Sequence, residues 1–451
     1  MPHHLLWPDP DLMKAAGYDS ISHVPCVFDS TWVLHDAATS YLIDRALKQF
    51  SARDPSGSKS EGATLPTEQS LKNFGSWLVD HLDWCEHSGR DWRTVTYASD
   101  IINGYQRDME TGIWSRDQIP LSPSTINSRG DEACLFHQWG ESRGLRKAFK
   151  VSTTIKRVRN DRGDSSDGHR TVEKEVRDGR IRKHPKVLRL PTDGEIEKWH
   201  RNIRIKAGYT KALMCELIIK TGIRLEEVCE WQVDTLPLDK KDWIMKPGGE
   251  YVQVTLTHGT KGTKRRNSHG DLLGPSRIIK MPIELAEELD KYRQFRRVAN
   301  RSICVRKSRD PAQRRKAAAQ NPRRLFLSDH TGEPVSRQRL YEAWVLEGAI
   351  PFKGWSPHGG RHFTACKLII GAVERTRKAL SGQNPAALSP NWLNGCASDA
   401  ILMEVRPQLG HVDKETSEMY LVWLAGVYSK STIYEEYDAF LEGMVSCKEE
   451  E

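Results

Sequence analysis

The chain has 451 residues, 38% of them hydrophobic and 28% charged, with a formal net charge of +8; that length suits two to three domains with sizeable cores, and so mild a balance leaves the placement of charge to speak for any polyanionic partner. Mean hydropathy is −0.61, no apolar run reaches the roughly eighteen residues of a membrane span, and MPHHLLWPDPDLMK lacks the plan of a signal peptide. Nine cysteines scattered without a CxxC fit reduced thiols in a cytoplasmic protein rather than a disulfide scaffold.

Residues 1–50 read as Pro-rich coil and then a short helical pattern, TSYLIDRALKQF. The breaker-rich stretch SARDPSGSKSEGATLP follows as an exposed linker, so 1–66 is taken as an N-terminal extension of undetermined role. From Thr67, Leu71, Phe74, Leu78 and Leu82 recur at helical steps, with Gly89 just past the end. A later helix begins after Ser122, with Pro123 at its first position and Gly144 placed to end it. Residues 67–148 are therefore expected to form a small all-helical domain.

Residues 149–186 change character. Twelve Lys and Arg face six Asp and Glu across 150–186, with almost no apolar periodicity, and this predicts an extended basic linker. At 187–445 a second domain is expected. PTDGEIEKW carries acidic residues in a first helical turn, and KALMCELIIKTGIRLEEVCEW reads as helix, Gly-marked break and helix. DWIMK, YVQVTL and SRIIKMP predict a small three-stranded antiparallel sheet, the last two flanking a long polar loop. From Ile283 the pattern is mostly helical. Between Arg293 and Arg324 stand twelve Lys and Arg with one Asp, the densest charge in the chain and a candidate phosphate contact, Arg314, Arg315 and Lys316 above all.

Four islands in the second half carry chemistry: TGIRLEE with Arg224 and Glu227; Lys261 and Lys264 in the polar loop, followed by Arg265 and Arg266; SPHGGRHFTACKLI with His358, Arg361 and His362; and LGHVDKETSEMY with His411 and, nine residues on, Tyr420. His358 and His362 stand four apart, as metal ligands can, but lack the glutamate of HExxH, so no metal site is expected.

In order and spacing these islands resemble the tyrosine recombinases, the phage-integrase family, over roughly residues 67–440. The resemblance implies a mainly α protein: a helical core-binding domain and an α+β catalytic domain closing as a C-shaped clamp on double-stranded DNA. It implies site-specific cutting and rejoining of DNA through a 3′-phosphotyrosyl intermediate, without metal, ATP or other cofactor. Tyr420 would be the nucleophile, and Arg224, Arg361 and His411 would bind the nonbridging phosphate oxygens. His358 would accept the phenol proton and Lys261, with Lys264 as the alternative in the same long loop, would be the general acid, with Glu227 supporting the arginine site and Lys264, Arg265 and Arg266 on DNA. A homotetramer on DNA and accessory DNA-bending or directionality proteins are implied partners, as for a mobile element, with no membrane. The rival expectations are a type IB topoisomerase and a catalytically silent DNA-binding relative. Two departures from the family pattern stand out: Gly359-Gly360 replaces a bulky residue before Arg361, and 49 residues separate Arg361 from His411, so that 373–400 is expected to be a surface insertion.

Overall fold

The structure is a computed structural model that describes residues 2–50, 66–160, 170–182, 188–245, 248–262, 265–266, 272–308, 310–319, 321–379, 390–410 and 414–429. The chain divides into two compact units, Met1–Pro185 and Lys186–Glu451. Both are mostly helical, with small antiparallel sheets.

The first unit contains β1 (His4–Leu6), α1 (Pro10–Ala15), β2 (Cys26–Phe28), α2 (Asp36–Ala46), α3 (Glu68–His87), a π-helical run Tyr97–Gln106 continuing as α4 (Arg107–Thr111), and α5 (Pro123–Ser142). Thr67 and Ser122 cap α3 and α5 through their hydroxyls, and Gly89 and Gly144 follow the helix ends with positive φ, as the sequence predicts. The N-terminal fifty residues are not a separate extension. Val24, Val27, Tyr41 and Leu42 share one core with Leu71, Leu78, Ile101 and Phe136. Two buried polar bonds fasten them: Tyr41 Oη donates to Glu132 at 2.7 Å, and Trp139 Nε1 donates to Asp44 at 2.8 Å. The helices of 67–148 leave an apolar flank that α2 covers.

The basic segment 149–186 also departs from expectation. It is not an extended linker: β3 (Thr153–Asn160) pairs antiparallel with β4 (Arg170–Arg177), Val158 opposite Val172 and Arg157 opposite Glu173. The base of this hairpin is bolted to the helices. Arg177 Nε donates to Asp131 at 2.6 Å, Gln106 to Gly179 O at 2.7 Å and Asn127 to Ile181 O at 2.8 Å.

The second unit opens with α6 (Asp193–Lys206), capped by Thr192 with Glu195 reaching back, then α7 (Tyr209–Thr221) and α8 (Leu225–Cys229). A sheet of order β5-β6-β8-β7 follows, from β5 (Ile244–Met245), β6 (Tyr251–His258), β7 (Arg265–Arg266) and β8 (Leu272–Pro282). It has four strands rather than the expected three, because β7 forms inside the polar loop and pairs with the start of β8. Then come α9 (Ile283–Lys291), a π-helical run Tyr292–Arg296, α10 (Arg297–Lys307), α11 (Pro311–Ala319), α12 (Arg337–Trp344), α13 (Pro357–Ala379), α14 (Pro390–Ala400), a π-helical run Ile401–Val405, α15 (Arg406–Leu409) and α16 (Lys414–Ser429).

Two cores serve this unit. One joins α6, α7, the sheet and α12 around Trp199, Trp344 and Trp355; the other joins α13, α14 and α16. The stretch around 373–400 is no surface insertion where it is described. Val373, Ala397 and Ala400 are buried, because α14 packs its small residues against α13. The glycine pair before Arg361 has a packing reason too. A Cβ on Gly360 would stand 2.5 Å from Trp344, and one on Gly359 3.1 Å from Trp355, so the bulk comes from the facing tryptophans. Among the described residues, no helix is long and apolar enough to cross a membrane.

Candidate active site

The site forms where the end of α7, the start of α8, β8, α13 and the end of α15 converge. Gly222 ends α7 with φ +67, and a Cβ there would collide with a Leu409 methyl. Only a glycine lets the chain turn so close to α15. The turn delivers Arg224 to the N-cap of α8, where its backbone N–H donates to Glu227 Oε2 at 2.6 Å and its Nη1 to Glu227 Oε1 at 3.0 Å.

Glu227 is almost wholly buried. Arg277, on β8, takes both of its oxygens: Nε to Oε1 at 3.0 Å and Nη2 to Oε2 at 2.6 Å. Burial by itself would raise the Glu227 carboxyl, but the hydrogen bonds and charge of Arg277, joined by Arg224, outweigh it and hold the group below its ordinary value. Glu227 is therefore the anion that lets two guanidiniums sit side by side.

Arg361 projects from α13 and is 2% exposed. It donates to Gly222 O at 2.6 Å and to Leu409 O. Burial, then the charges of Arg224 and Arg277, pull this guanidinium down to about 9. Arg224 and Arg277 share the Glu227 carboxylate while Arg361 bonds only carbonyls, so three guanidiniums stand against one carboxylate and the cluster carries a surplus of two positive charges. Such a cluster is built to take an anion.

Tyr420, on α16, is fully buried. Its Oη lies 2.9 Å from His362 Nδ1, and the His362 ring in turn meets His358 edge to face, with centroids 4.3 Å apart. Burial pushes the phenol well above its ordinary value, while Arg361 is near enough for its charge to pull the other way. A hydrogen-bond partner of Tyr420 is thus His362, one helical turn beyond His358, which is exposed. At i, i+4 on α13 the two imidazoles lie on one face, and only the second reaches inward.

The structure brings Arg224, Glu227, Arg361 and Tyr420 together. Lys261 stands exposed in the loop after β6 and makes no hydrogen bond to the arginine cluster among the described residues. His411 and Lys264 lie outside the described residues. Arg265 and Arg266 form β7, while Arg314, Arg315 and Lys316 lie on the exposed helix α11. Sequence reasoning missed His362 as the tyrosine's partner, and missed Arg277 and Gln408. The Gln408 amide stitches three elements, accepting from Lys280 N at 2.8 Å and donating to Thr221 O and Lys280 O at 2.9 Å. Its signal was slight: a polar residue two before a glycine that ends a helix. Among the described residues, the one group of metal-ligand type is His3, Asp83 and Glu86, in the first unit rather than here.

No protein-family model and no curated protein matches the chain. Among solved structures, it is similar to the Tn1549 transposon integrase (residues 82–397) in complex with circular intermediate DNA, at 15% identity and a TM-score of 0.39, over 84% of this chain and 94% of that one. It is similar to a lambda integrase (75–356) dimer bound to a COC′ core site, at 14% identity and a TM-score of 0.36, over 85% and 94%. XerA recombinase gives 12% identity and a TM-score of 0.29, over 88% and 98%. What the chain is similar to, in each case, is an integrase or a recombinase.

Proposed function

We propose that the chain is a tyrosine-type site-specific DNA recombinase, an integrase that cuts and rejoins double-stranded DNA through a 3′-phosphotyrosyl intermediate. The observation that carries this reading is the buried arginine cluster with two uncompensated charges, close enough to Tyr420 for Arg361 to act on its phenol.

In the proposed reaction a phosphodiester sits against Arg224 and Arg361. Tyr420 Oη attacks phosphorus, forming one P–O bond while the bond to the 5′-oxygen breaks. The nonbridging oxygens of the pentacoordinate transition state carry about one more negative charge than the diester, and fixed guanidiniums stabilise that charge more than the ground state. The phenol proton passes to His362, with His358 beside it, and Lys261 protonates the departing 5′-oxygen. His411 adds a hydrogen bond to the nonbridging oxygens. The phosphotyrosine conserves the energy of the broken bond, so rejoining needs no ATP. Because Tyr420 is buried without DNA, attack requires α16 to release it. Two duplexes with two cuts each call for four copies on DNA, with accessory DNA-bending proteins as helpers, and the exposed cations of α11, together with Arg265 and Arg266, would lie along the phosphates.

The test uses nicked duplexes drawn from the DNA that flanks the gene. A protein–DNA adduct that survives a denaturing gel, and is lost in Tyr420→Phe, supports the reading. DNA binding without adduct points to a silent relative, and relaxation of a supercoiled plasmid without strand exchange points to a topoisomerase.

A further inference from the structure

We infer that Arg277 is a positioning residue: it keeps Glu227 from capturing Arg224 and fixes the short run of carbonyls that aims both phosphate-binding arginines. The inference rests on the recombinase reading of the site, and it concerns a residue that no island of the sequence singled out.

The observation is a register. α15 ends at Leu409, and Gly410 follows with φ +60. The last carbonyls of a helix lack partners within it and sit at its negative end. Here three consecutive ones each receive a different arginine: Gln408 O takes Arg277 Nη1, Leu409 O takes Arg361, and Gly410 O takes Arg224 Nη2 at 3.1 Å. Arg277 is the one of the three whose guanidinium alone bridges both oxygens of Glu227, Arg224 reaching the second oxygen through its backbone N–H, and the Arg277 side chain is 12% exposed. A guanidinium has five N–H donors. Among the described residues, Arg361 directs two of its five to Gly222 O and Leu409 O, and Arg224 directs two to Glu227 and Gly410 O. Each keeps donors for phosphate. Arg277 directs three, one from each nitrogen, to Glu227 and Gln408 O, which suits it to holding the cluster rather than DNA.

Removing it has a definite consequence. Glu227 would lose the guanidinium that bridges both of its oxygens, and the cation left beside it is Arg224, whose Nη1 is already 3.0 Å away. A carboxylate buried with one partner binds it fully, so Arg224 would turn from the phosphate to Glu227. The 408–410 carbonyls would lose one of three anchors. Gly410 fits the same arrangement, since a Cβ there would stand 3.0 Å from Arg277 Cδ.

The experiment measures single-turnover adduct formation and DNA affinity on a nicked duplex that the wild-type chain cleaves, together with the arginine Nε–H resonances of Arg224 and Arg361 in the full-length DNA-free chain. Arg277→Ala is expected to slow adduct formation about 10²-fold, the cost of a misplaced catalytic group, with DNA affinity changed less than about threefold. The same variant should shift or broaden the Arg224 and Arg361 resonances. Methylguanidinium, which fits the vacated space and restores a forked donor, should recover at least about tenfold of the rate, whereas methylammonium should not; Arg277→Lys, a single point charge, should stay slow. A wild-type rate in Arg277→Ala, or equal losses in affinity and rate with no rescue, overturns the inference. If the wild-type chain forms no adduct on any duplex, the recombinase reading has failed, and the resonances decide alone: a shift reversed by methylguanidinium upholds the positioning role, and unchanged resonances end it.

Discussion

Arg224, Arg361 and Tyr420 are legible from sequence because each sits in a spaced motif, and spacing along a chain survives folding. His362 and Arg277 are not, because their roles are set by direction. Whether His358 or His362 faces Tyr420 depends on which face of α13 turns inward. Nothing in HGGRH settles that until Trp344 and Trp355 are seen covering the glycines. Arg277 is one of two cations in the strand SRIIKMP, the other being Lys280, and its partner Glu227 comes from fifty residues away. Two predictions belong at this scale. Tyr420→Phe should bind DNA normally and form no adduct, whereas Tyr428→Phe, at the other tyrosine of α16, should still form it; the reverse outcome on a denaturing gel reassigns the nucleophile. His362→Ala should lower the adduct rate by roughly 10²–10⁴, as loss of a proton acceptor does, and by more than His358→Ala. If His358→Ala is the slower variant on the same substrate, His362 merely packs against the phenol.

At the scale of elements, composition misleads where charge and pairing coexist. Residues 150–186 are charged enough to read as a tether, yet Thr153, Thr154, Ile155, Val158, Thr171, Val172 and Val176 carry the strand-forming side chains of a hairpin. The densest basic stretch divides in a similar way. Arg293 directs its guanidinium to the carbonyls of Val233, Leu236, Pro237 and Leu238 and to Asp290, and Arg297 to Pro322 O, Arg324 O and Asn321. Both hold loops in place, so the local charge overstates what is offered to a polyanion. Arg314, Arg315 and Lys316 are exposed on α11, as are Arg306 and Lys307 at the end of α10. Replacing the three on α11 with Gln should flatten the slope of log K against log salt by about 0.9 for each phosphate that α11 no longer neutralises, up to roughly 2.7. An unchanged slope in titrations between low and moderate salt would mean that α11 faces water only. Arg293→Gln should instead lower the melting temperature and leave the salt slope alone.

The whole molecule has two units with separate cores, and only the second holds the arginine cluster. Acid should therefore act on the first unit through a device of its own. His81 and His137 are completely buried, with Nε2 atoms 2.9 Å apart, and Arg146 donates to His137 Nδ1. Burial, then the charge of Arg146, brings His81 down to about 3, and burial, then the charges of His81 and Arg146, holds His137 well below its ordinary value. Both imidazoles are neutral in the folded unit and take up protons on unfolding. A folded value depressed below the unfolded value of about 6.5 means that stability is complete above that pH and drains away as pH falls below it, by up to about 1.4 kcal/mol per histidine for each unit. Burial raises Asp80 and Glu132, which act in the opposite sense near the carboxylate range, so the window that isolates the histidines is pH 7 to 5. Hydrogen exchange read on peptides from α3 and α5 of the full chain should show their opening free energy falling across that window. His35, also lowered by burial, adds to the fall, and in His137→Gln the fall should shrink without vanishing. Peptides of α7 and β6 have no such buried histidine pair among the described residues and should hold steady. If α3 and α5 are as protected at pH 5 as at pH 7, the pair is protonated or hydrated in the folded protein, and the acid sensitivity assigned to the first unit is wrong.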